Sequence, residues 1–422
     1  MNYQDSLDFL YQRLPMFQRI GKPALKPDLS NTLRLLNVLN QPEKQFKSVH
    51  IAGTNGKGSS AHAIASILQS AGLKTGLYTS PHLVSFTERI RINGRPIDEE
   101  SVASFVTQMK EAIETITPSF FEVTVAMAFD YFRKKAVDIA VIEVGLGGRL
   151  DSTNIITPEV SLITTIAFDH MDLLGDTLPK IATEKAGIIK PNVPVVIGHY
   201  QEETFPVFVK KAAENNSPLI LADQKIDIIS TQSLQNRVSY QGHEYVLDNP
   251  ASYYAKNIPG ILETINILKN KGFDINEKAV HHGLENMMSQ TGLLGRFQVL
   301  EQSPLMIADV SHNEQGISNL LEQISAIPKT SLHIIYGTVK DKDVIKILKL
   351  FPKQSIFYFT QSQSPRALVV DELMSIANSI GITAKSFQNV NEAILSAKKE
   401  TQESDLILIT GSTFVIAEIE GL

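Results

Sequence analysis

The residues whose types and spacing most clearly suggest a chemical role are Gly53-Thr-Asn-Gly-Lys-Gly-Ser59. Glycines let backbone N–H groups approach phosphate oxygens, and a helix that follows adds unpaired N–H donors and a positive dipole end. Lys57 can neutralise phosphate charge, and the Ser59 hydroxyl can bind phosphate or Mg²⁺. The general pattern G-x-x-x-x-G-K-[ST] is matched only in part, because Ile51 stands at its first glycine and Gly58 separates Lys57 from Ser59. A Gly-rich turn with an exposed lysine is the alternative to nucleotide binding.

The elements on either side of this loop favour nucleotide binding. A short β-branched run begins at Lys47, and apolar residues at helical spacing follow the loop, with Gly72 as a C-terminal cap. Further apolar runs of strand length begin at Val137, Glu159 and Val193. Such runs, separated by helical segments, predict a mostly parallel sheet covered on both faces.

The chain is long enough for more than one domain, since domains usually hold roughly 100–200 residues. The stretch Ile226–Leu247 alternates in polarity and predicts a small antiparallel insert at about residues 225–249. Four further strand candidates, LMIADVSHN, LHIIYGT, SIFYFTQ and DLILITGS, follow a restart between Thr291 and Val299. We therefore predict an α/β chain with a P-loop ATP-binding domain over residues 1–294 and a smaller, doubly wound domain over residues 295–422.

Composition excludes several classes of function. The 422 residues carry 39 basic and 45 acidic side chains, a net charge of −6, which gives no basic field for nucleic acid or an anionic membrane. The absence of cysteine excludes disulfides and thiolate chemistry. No apolar run approaches the roughly 20 residues of a membrane span, and the N-terminus lacks a signal-peptide pattern. We expect a cytoplasmic monomer.

Three polar residues stand out beyond the loop. Glu143 ends a buried strand at the edge where ligands of parallel sheets bind, so it is a candidate magnesium ligand, with a solvated strand-end carboxylate as the alternative. His170 ends another strand, and chemistry alone favours a helix cap or core histidine, because imidazole is an unusual partner for Mg²⁺. Lys185, at the start of a helical stretch, is by itself an ordinary solvated lysine.

Read with Thr79-Ser-Pro-His-Leu83, the heptad GTNGKGS resembles the folylpolyglutamate synthases and dihydrofolate synthases of the Mur ligase superfamily. The resemblance covers nearly the whole chain and continues through motifs in the family's order: Phe86–Gly94, Phe120–Thr124, Glu143–Asn154, Phe168–His170, Glu184–Gly187 and Asp309–Asn313. The second domain departs from the family pattern, because Ser311 and Glu314 replace the Ala and Pro of D-x-A-H-N-P and no Pro precedes Gly295-Arg296. Only Asn257 remains of an H-Q-x-x-N element.

The resemblance implies a Mur-ligase-like fold and an ATP- and Mg²⁺-dependent amide ligase. Such an enzyme adds L-glutamate to dihydropteroate or to the γ-carboxylate of a reduced folate through an acyl phosphate. It implies a carbamylated Lys185, which is chemically reasonable because CO₂ reacts only with a neutral amine and burial lowers a lysine pKa. The implied residues are, for ATP, Gly53, Thr54, Asn55, Gly56, Lys57, Gly58, Ser59, Asn257, Arg296 and Asp309; for the metal, Ser59, Ser80, Glu143, His170 and Lys185; for folate, Phe121, Glu122, Leu150, Asp151 and Ser152; for glutamate, His312 and Ser412; and for catalysis, Lys57, His170, Lys185 and His312.

Three other functions compete with this one. Another Mur-type ligase would need a uridine-nucleotide domain, usually at the N-terminus. Only about 45 residues precede the strand that begins at Lys47, which argues against such a domain. A P-loop kinase or switch NTPase would leave the second domain and its Asp309–Asn313 motif without a role. A non-catalytic binding module predicts eroded motifs, whereas Lys57, Glu143, His170 and Lys185 are all present.

Overall fold

The protein is described by a computed structural model that covers residues 1–24, 26, 28–222, 227–230 and 236–422. It divides into two compact units. The first, called the N-terminal unit, comprises Met1–Asp248 and Tyr254–Leu293, and the second, the C-terminal unit, comprises Asn249–Tyr253 and Leu294–Leu422. The short segment Asn249–Tyr253 therefore belongs to the second unit although it precedes the end of the first in sequence.

Helices and strands alternate along the chain up to residue 293. The helices are α1 Tyr3–Arg13, α2 Phe17–Ile20, α3 Ser30–Val38, α4 Lys57–Ser70, α5 Glu99–Ile116, α6 Phe120–Lys134, α7 Met171–Leu174, α8 Leu178–Ala186, α9 Phe205–Glu214, α10 Ser252–Ala255, α11 Ile258–Asn270, α12 Glu277–Glu285 and α13 Met287–Thr291. The strands are β1 Lys47–Ala52, β2 Thr75–Tyr78, β3 Ile90–Ile92, β4 Arg95–Pro96, β5 Ile139–Glu143, β6 Val160–Ile163, β7 Val195–Ile197, β8 Leu219–Leu221, β9 Asp227–Ser230, β10 Asn236–Tyr240 and β11 His243–Leu247.

The main sheet of the N-terminal unit has the order β4-β3-β2-β5-β1-β6-β7-β8 among the described residues. All neighbours pair in parallel except the β2–β3 and β3–β4 pairs. The four apolar runs form β1, β5, β6 and β7, which confirms the predicted parallel sheet. Ile51 of β1 pairs with Glu143 of β5 and with Leu162 of β6, so three strands end together at one edge.

The helix that follows β1 is buried along most of its length, and it packs closely against α12. A Cβ atom at Gly283 would lie 2.6 Å from the Cα atom of Ile67, so the two helix backbones almost touch. This close approach depends on glycine, because any larger side chain there would press on the backbone of α4.

Polar side chains of α4 also bind the last residues of the N-terminal unit. The Nδ1 atom of His62 lies 2.8 Å from the Oγ1 atom of Thr291. The Gln290 carboxamide oxygen accepts from the Ser66 hydroxyl at 3.3 Å and from the Gln69 amide at 2.8 Å. The helix α4, which begins in the Gly-rich loop Gly53–Ser59 (the phosphate loop), therefore holds the end of its own unit in place.

A small antiparallel sheet has the order β11-β10-β9 among the described residues. It lies within the stretch Ile226–Leu247, for which a small antiparallel meander was predicted. Residues 225, 226 and 231–235 of the predicted insert lie outside the described residues.

The C-terminal unit alternates strands and helices: β12 Gln298–Gln302, β13 Leu305–Ala308, α14 Glu314–Ala326, β14 Leu332–Tyr336, α15 Val344–Leu348, β15 Ile356–Thr360, α16 Val370–Ser379, β16 Ala384–Phe387, α17 Val390–Glu400, β17 Leu406–Thr410 and α18 Thr413–Ala417. Its sheet has the order β12-β13-β17-β14-β15-β16, parallel apart from β12. The four predicted strands are β13, β14, β15 and β17, and the α/β fold class is confirmed. Within the part of the chain that is described, no helix combines the length and apolarity that a bilayer crossing requires.

Candidate active site

The Gly-rich loop joins β1 directly to α4, which begins at Lys57. Gly56 is the N-cap residue and has a φ of 90°, a conformation that glycine adopts without strain. A Cβ atom at Gly53 would come within 1.8 Å of the Thr164 hydroxyl, so no other residue fits there. The loop thus leaves the first N–H groups of a long helix directed at the space above β1, as a phosphate site requires.

Residues just after β6 hold this loop in shape. The Thr54 N–H donates to the Thr165 carbonyl at 2.7 Å, and the Ala167 N–H donates to the Thr54 hydroxyl at 3.0 Å. The Thr164 hydroxyl donates to the Asn55 carbonyl at 2.7 Å. Thr164 and Thr165 were not predicted as site residues, although two hydroxyl residues directly after an apolar strand are a signal for a ligand-facing edge.

Two lysines share one backbone carbonyl of the loop. The Lys57 ammonium donates to the carbonyls of Gly53 and Thr54, both at 3.1 Å, and the Lys185 amine donates to the Gly53 carbonyl at 2.8 Å. Burial, and then the charge of Lys57, lower the pKa of Lys185 from 10.5 to about 7. Lys185 lies in the last turn of α8 and is only 4% exposed, so the prediction of a solvated lysine at a helix start was wrong.

Glu143 is the last residue of β5 and is almost fully buried. Its Oε2 atom accepts from the Ser80 N–H at 3.2 Å, and Ser80 lies just beyond the end of the neighbouring strand β2. Since Glu143 pairs with Ile51 of β1, two residues before Gly53, its carboxylate stands beside the phosphate loop.

His170 does not end a strand, because β6 stops at Ile163 and His170 is the N-cap residue of the short helix α7. Its side chain makes no capping hydrogen bond. The Nε2 atom lies 3.9 Å from the Asp169 carboxylate, and the ring meets the Phe17 ring edge-on at 5.7 Å between centroids. The imidazole is therefore held by a carboxylate and an aromatic ring, and a quarter of it remains exposed.

Phe121 and Asp151 converge on Gly145, which follows Glu143 by two residues. A Cβ atom at Gly145 would lie 2.5 Å from the Phe121 ring and 3.2 Å from the Oδ2 atom of Asp151. An aromatic face and a carboxylate oxygen thus lie close together beside the edge of the sheet that carries Glu143. Such a pair can stack on a flat heterocycle and accept from its N–H groups.

The Asp151 carboxylate is already bound by its own chain. Its Oδ1 atom accepts from the N–H of Thr153 at 3.0 Å and from the Thr153 hydroxyl at 2.5 Å, and its Oδ2 atom accepts from the Leu146 N–H at 2.8 Å. Burial raises the pKa of this carboxyl, and these donors act against the rise. Of its neighbours, Ser152 is buried, whereas Leu150 is 42% exposed.

Glu122 forms a capping box at the start of α6. Its carboxylate accepts from the Ser119 N–H at 2.7 Å and from the Ser119 hydroxyl at 2.9 Å, and also from the Thr32 hydroxyl at 3.4 Å. This arrangement was not predicted, although the pattern S-x-x-E before an apolar run is its sequence signal. The capping box fixes the first turn of α6 and so the position of Phe121.

Asn257 lies against the phosphate loop within the N-terminal unit. A Cβ atom at Gly56 would come 2.7 Å from its carboxamide oxygen. Asn257 precedes α11, and its side chain makes no capping hydrogen bond to that helix. Its amide is thereby placed beside the first turn of α4.

In the C-terminal unit, Asp309 follows β13 and is 1% exposed. Its carboxylate accepts from the N–H groups of Phe297 and Ser311 at 2.7 and 2.8 Å, and from the Tyr253 hydroxyl. Arg296 is adjacent to Phe297 in sequence, and the Asn249 amide donates to its carbonyl at 2.9 Å. Asp309 therefore organises the turn that carries Arg296.

His312 and Ser412 lie on loops that meet in the same unit. The Ser311 carbonyl accepts from the Thr410 hydroxyl and the Gly411 N–H, each at 3.2 Å, which joins the loops after β13 and β17. The Nδ1–H group of His312 donates to the Val310 carbonyl at 2.9 Å, because a carbonyl can only accept. The Ser412 hydroxyl caps α18.

No group of three or more His, Asp or Glu side chains is arranged to hold a metal ion in the described ranges of the chain. A magnesium ion does not require one, since Mg²⁺ commonly uses one or two carboxylates together with water and substrate phosphates.

Comparison with known proteins matches both parts of the chain to one family. The Mur ligase middle domain matches residues 51–300, and the Mur ligase glutamate ligase domain matches residues 295–413. The first of these alone covers more than half of the chain.

Individual relatives extend the match to nearly the full length. The dihydrofolate synthase/folylpolyglutamate synthase of Bacillus subtilis is 31% identical over 99% of this chain and 98% of its own length. The structure of Escherichia coli FolC in complex with DHPP and ADP has a TM-score of 0.84 at 28% identity, covering 99% of this chain and 96% of that one. A Yersinia pestis bifunctional folylpolyglutamate synthase/dihydrofolate synthase with Mn, AMPPNP and L-glutamate bound has a TM-score of 0.82 at 26% identity, covering 99% and 97%. The chain therefore belongs to the Mur ligase family, in the branch of the folylpolyglutamate synthases and dihydrofolate synthases.

Proposed function

We propose that this chain is an ATP-dependent ligase that joins L-glutamate to dihydropteroate, to the γ-carboxylate of a reduced folate, or to both. The observation that carries the proposal is the meeting of the phosphate loop, Glu143 and the Phe121–Asp151 pair at one edge of the N-terminal sheet. The ADP and DHPP bound to the E. coli relative, and the AMPPNP and L-glutamate bound to the Y. pestis relative, support an adenine nucleotide and L-glutamate as ligands of this chain.

ATP is assigned to the loop Gly53–Ser59 and to Asn257, with residues 1–294 as the ATP-binding domain. The N–H groups at the start of α4 bind phosphate oxygens, and Lys57 neutralises the charge that moves onto the leaving phosphate. The hydrogen bond that the Thr54 hydroxyl accepts from Ala167 and the one that Thr164 donates to Asn55 keep the loop in this shape before the nucleotide arrives.

The residues beside the loop fit a divalent metal ion. Glu143 and the hydroxyls of Ser59 and Ser80 are hard oxygen donors, which Mg²⁺ prefers, and His170 would complete the set. The neutral Lys185 amine can attack CO₂, forming an N–C bond and releasing a proton, and the resulting carbamate would offer a further oxygen. When bound, Mg²⁺ neutralises phosphate charge and polarises the γ-phosphoryl group.

The acceptor is assigned to Phe121, Leu150, Asp151 and Ser152. The Phe121 ring stacks on the pteridine, and the Asp151 carboxylate accepts from its N–H groups. Glu122 acts through the capping box that fixes Phe121.

The predicted second domain, residues 295–422, is assigned the remaining roles. Arg296 and Asp309 contact ATP, and His312 and Ser412 contact glutamate. The match of residues 295–413 to a glutamate ligase domain supports this division.

The reaction has two steps. An oxygen of the acceptor carboxylate attacks the γ-phosphorus, the bond to the β-phosphate oxygen breaks, and ADP leaves behind an acyl phosphate. The neutral amine of glutamate then attacks the acyl carbon, the bond from that carbon to the phosphate oxygen breaks, and the nitrogen loses one proton to the departing phosphate or to solvent, so an amide forms. The chain contributes positioning, charge neutralisation by Lys57 and exclusion of water from the acyl phosphate.

The test is incubation with dihydropteroate or tetrahydrofolate, ATP, Mg²⁺ and labelled glutamate, followed by mass spectrometry. The expected product carries one added glutamyl group on at least one acceptor, and ADP release requires both acceptor and glutamate. Lys57→Ala should slow product formation roughly hundredfold or more, whereas Lys44→Ala should not, because Lys44 is an exposed lysine before β1. ADP release that ignores acceptor and glutamate would instead indicate an NTPase or kinase, and no glutamyl product on either acceptor would refute the assignment.

A further inference from the structure

A fully buried histidine lies beneath the Asp151 turn and is not used in the proposed reaction. His50 is in the middle of β1 and has no exposed surface. Its Nε2 atom lies 2.9 Å from the hydroxyl oxygen of Thr153. Thr153 belongs to the 3-10 turn Ser152–Ile155, for which Asp151 is the N-cap residue.

The order of hydrogen bonds fixes the direction in which His50 acts. The Thr153 hydroxyl donates its single hydrogen to the Asp151 carboxylate at 2.5 Å, so its oxygen can only accept from His50. His50 must therefore carry its hydrogen on Nε2. Its Nδ1 atom is buried and has no hydrogen-bond partner within the described part of the chain.

The same surroundings keep His50 neutral. Burial, and then the charge of Lys190, lower the pKa of His50 to about 3. A second proton would have to sit on the buried Nδ1 atom. His50 is thus a constant donor to Thr153 over the working pH range.

The turn is also fastened from its other side. The Lys190 ammonium donates to the Asn154 carbonyl at 2.6 Å, and the Asn154 amide donates to the Gly187 carbonyl at 3.0 Å. The Oδ1 atom of Asp151 is taken by Thr153, and the Oδ2 atom accepts from the Leu146 N–H at 2.8 Å. A carboxylate oxygen has a second lone pair, and Oδ2 lies beside Gly145, whose Cβ position is also next to the Phe121 ring.

We propose that His50 and Thr153 are positioning residues that hold the Asp151 carboxylate in the orientation that binds the N–H edge of the pteridine. This inference rests on the proposed function. It makes His50–Thr153–Asp151 a hydrogen-bonded relay that runs from β1 to the acceptor site. The neutral imidazole orients the Thr153 hydroxyl, and the hydroxyl orients the Asp151 carboxylate, without transfer of a proton.

The first test compares Thr153→Val with Thr153→Ser in the full-length protein. The Val variant keeps the shape but loses the hydroxyl, so KM for dihydropteroate should rise roughly ten- to hundredfold, as for loss of one hydrogen bond to a charged group. KM for ATP should stay within about twofold, since that site has its own contacts. The Ser variant should restore KM for dihydropteroate to near the wild-type value.

His50 is tested in the same way with His50→Leu and His50→Gln. The Leu variant cannot donate and should raise KM for dihydropteroate, whereas the Gln amide can donate to Thr153 and should recover most of the loss. If the Leu variant does not fold, nitrogen NMR of the imidazole in the wild-type protein decides. His50, assigned by its absence in His50→Gln, should show an unprotonated Nδ1 atom and no titration down to about pH 5.

Several results would overturn the relay while leaving the proposed function intact. One is that the wild-type protein is an active ligase and the Thr153→Val variant has the same KM for dihydropteroate. Another is an equal rise in KM for ATP and for dihydropteroate that Thr153→Ser does not reverse, which indicates a structural role only. An Nδ1-protonated or charged His50 would also exclude it. Failure of the wild-type protein to glutamylate any acceptor would refute the proposed function instead.

Discussion

Replacing Lys185 by methionine should stabilise the protein below neutral pH while abolishing its activity. Lys185 is 4% exposed, and its amine donates to the Gly53 carbonyl at 2.8 Å. Burial and the neighbouring Lys57 charge lower its pKa from 10.5 to about 7. Methionine has a similar length and needs no such solvation.

The sign of the effect follows from proton binding. Between about pH 7 and 10.5 the unfolded chain holds a proton on Lys185 that the folded chain has released, so stability rises with pH across this window. Below about pH 7 Lys185 is charged in both the folded and the unfolded chain, so the full free-energy cost of burying its charge is present. At about 1.36 kcal/mol per pH unit, the lowered pKa corresponds to about 5 kcal/mol. Loss of the hydrogen bond to Gly53 offsets about 1 kcal/mol of the gain.

The assay is urea unfolding in CO₂-free buffers, followed by a probe in the N-terminal unit. Lys185→Met should exceed the wild-type free energy of unfolding by about 4 kcal/mol near pH 6, and the difference should disappear towards about pH 10. Lys180→Met is the control, because Lys180 lies on the same helix with its side chain 62% exposed. A variant that is less stable than wild type near pH 6, or a difference that does not change with pH, would refute the reasoning.

Three further changes test the site and its support. Lys57→Ala should lower kcat roughly hundredfold or more, measured as ADP release with acceptor and glutamate present, because a charge at the phosphate loop is lost. Gly145→Ala should raise KM for dihydropteroate but leave the Kd of ATP unchanged in calorimetry, since its Cβ atom would lie 2.5 Å from the Phe121 ring. Gly283→Ala should destabilise the N-terminal unit by about 1–3 kcal/mol in thermal unfolding, because its Cβ atom would press on the backbone of Ile67; an unchanged Tm would contradict the close helix contact.

Local patterns were sufficient for the central elements of the fold. The run from Lys47 and the helical spacing after the Gly-rich loop predicted β1 and α4, because both elements are buried over most of their length. The strands β12 and β16 were missed. They are partly exposed edge strands with the sequences QVLEQ and AKSF, whose polarity resembles that of a loop.

The site was predicted less completely, because its side chains are set by contacts between distant segments. Nothing in the sequence around Lys185 reports that its amine meets Gly53, 132 residues away. His50 likewise looks like one more residue of a β-strand, and only the fold brings it to Thr153. The position of Glu122, by contrast, could have been predicted from the sequence, because the capping-box pattern with Ser119 is local.

The side chains through which α4 holds the end of its unit also constrain how this helix can change. His62, Ser66 and Gln69 follow one another by four and three residues and form one stripe that meets Gln290 and Thr291. Adding or deleting one residue between the phosphate loop and this stripe would rotate the stripe by about 100° around the helix axis. Insertions and deletions should therefore be tolerated in the surface loops of the chain but not within Lys57–Gln69. The register of this one helix sets both the phosphate loop at its start and the side chains that bind the end of the N-terminal unit.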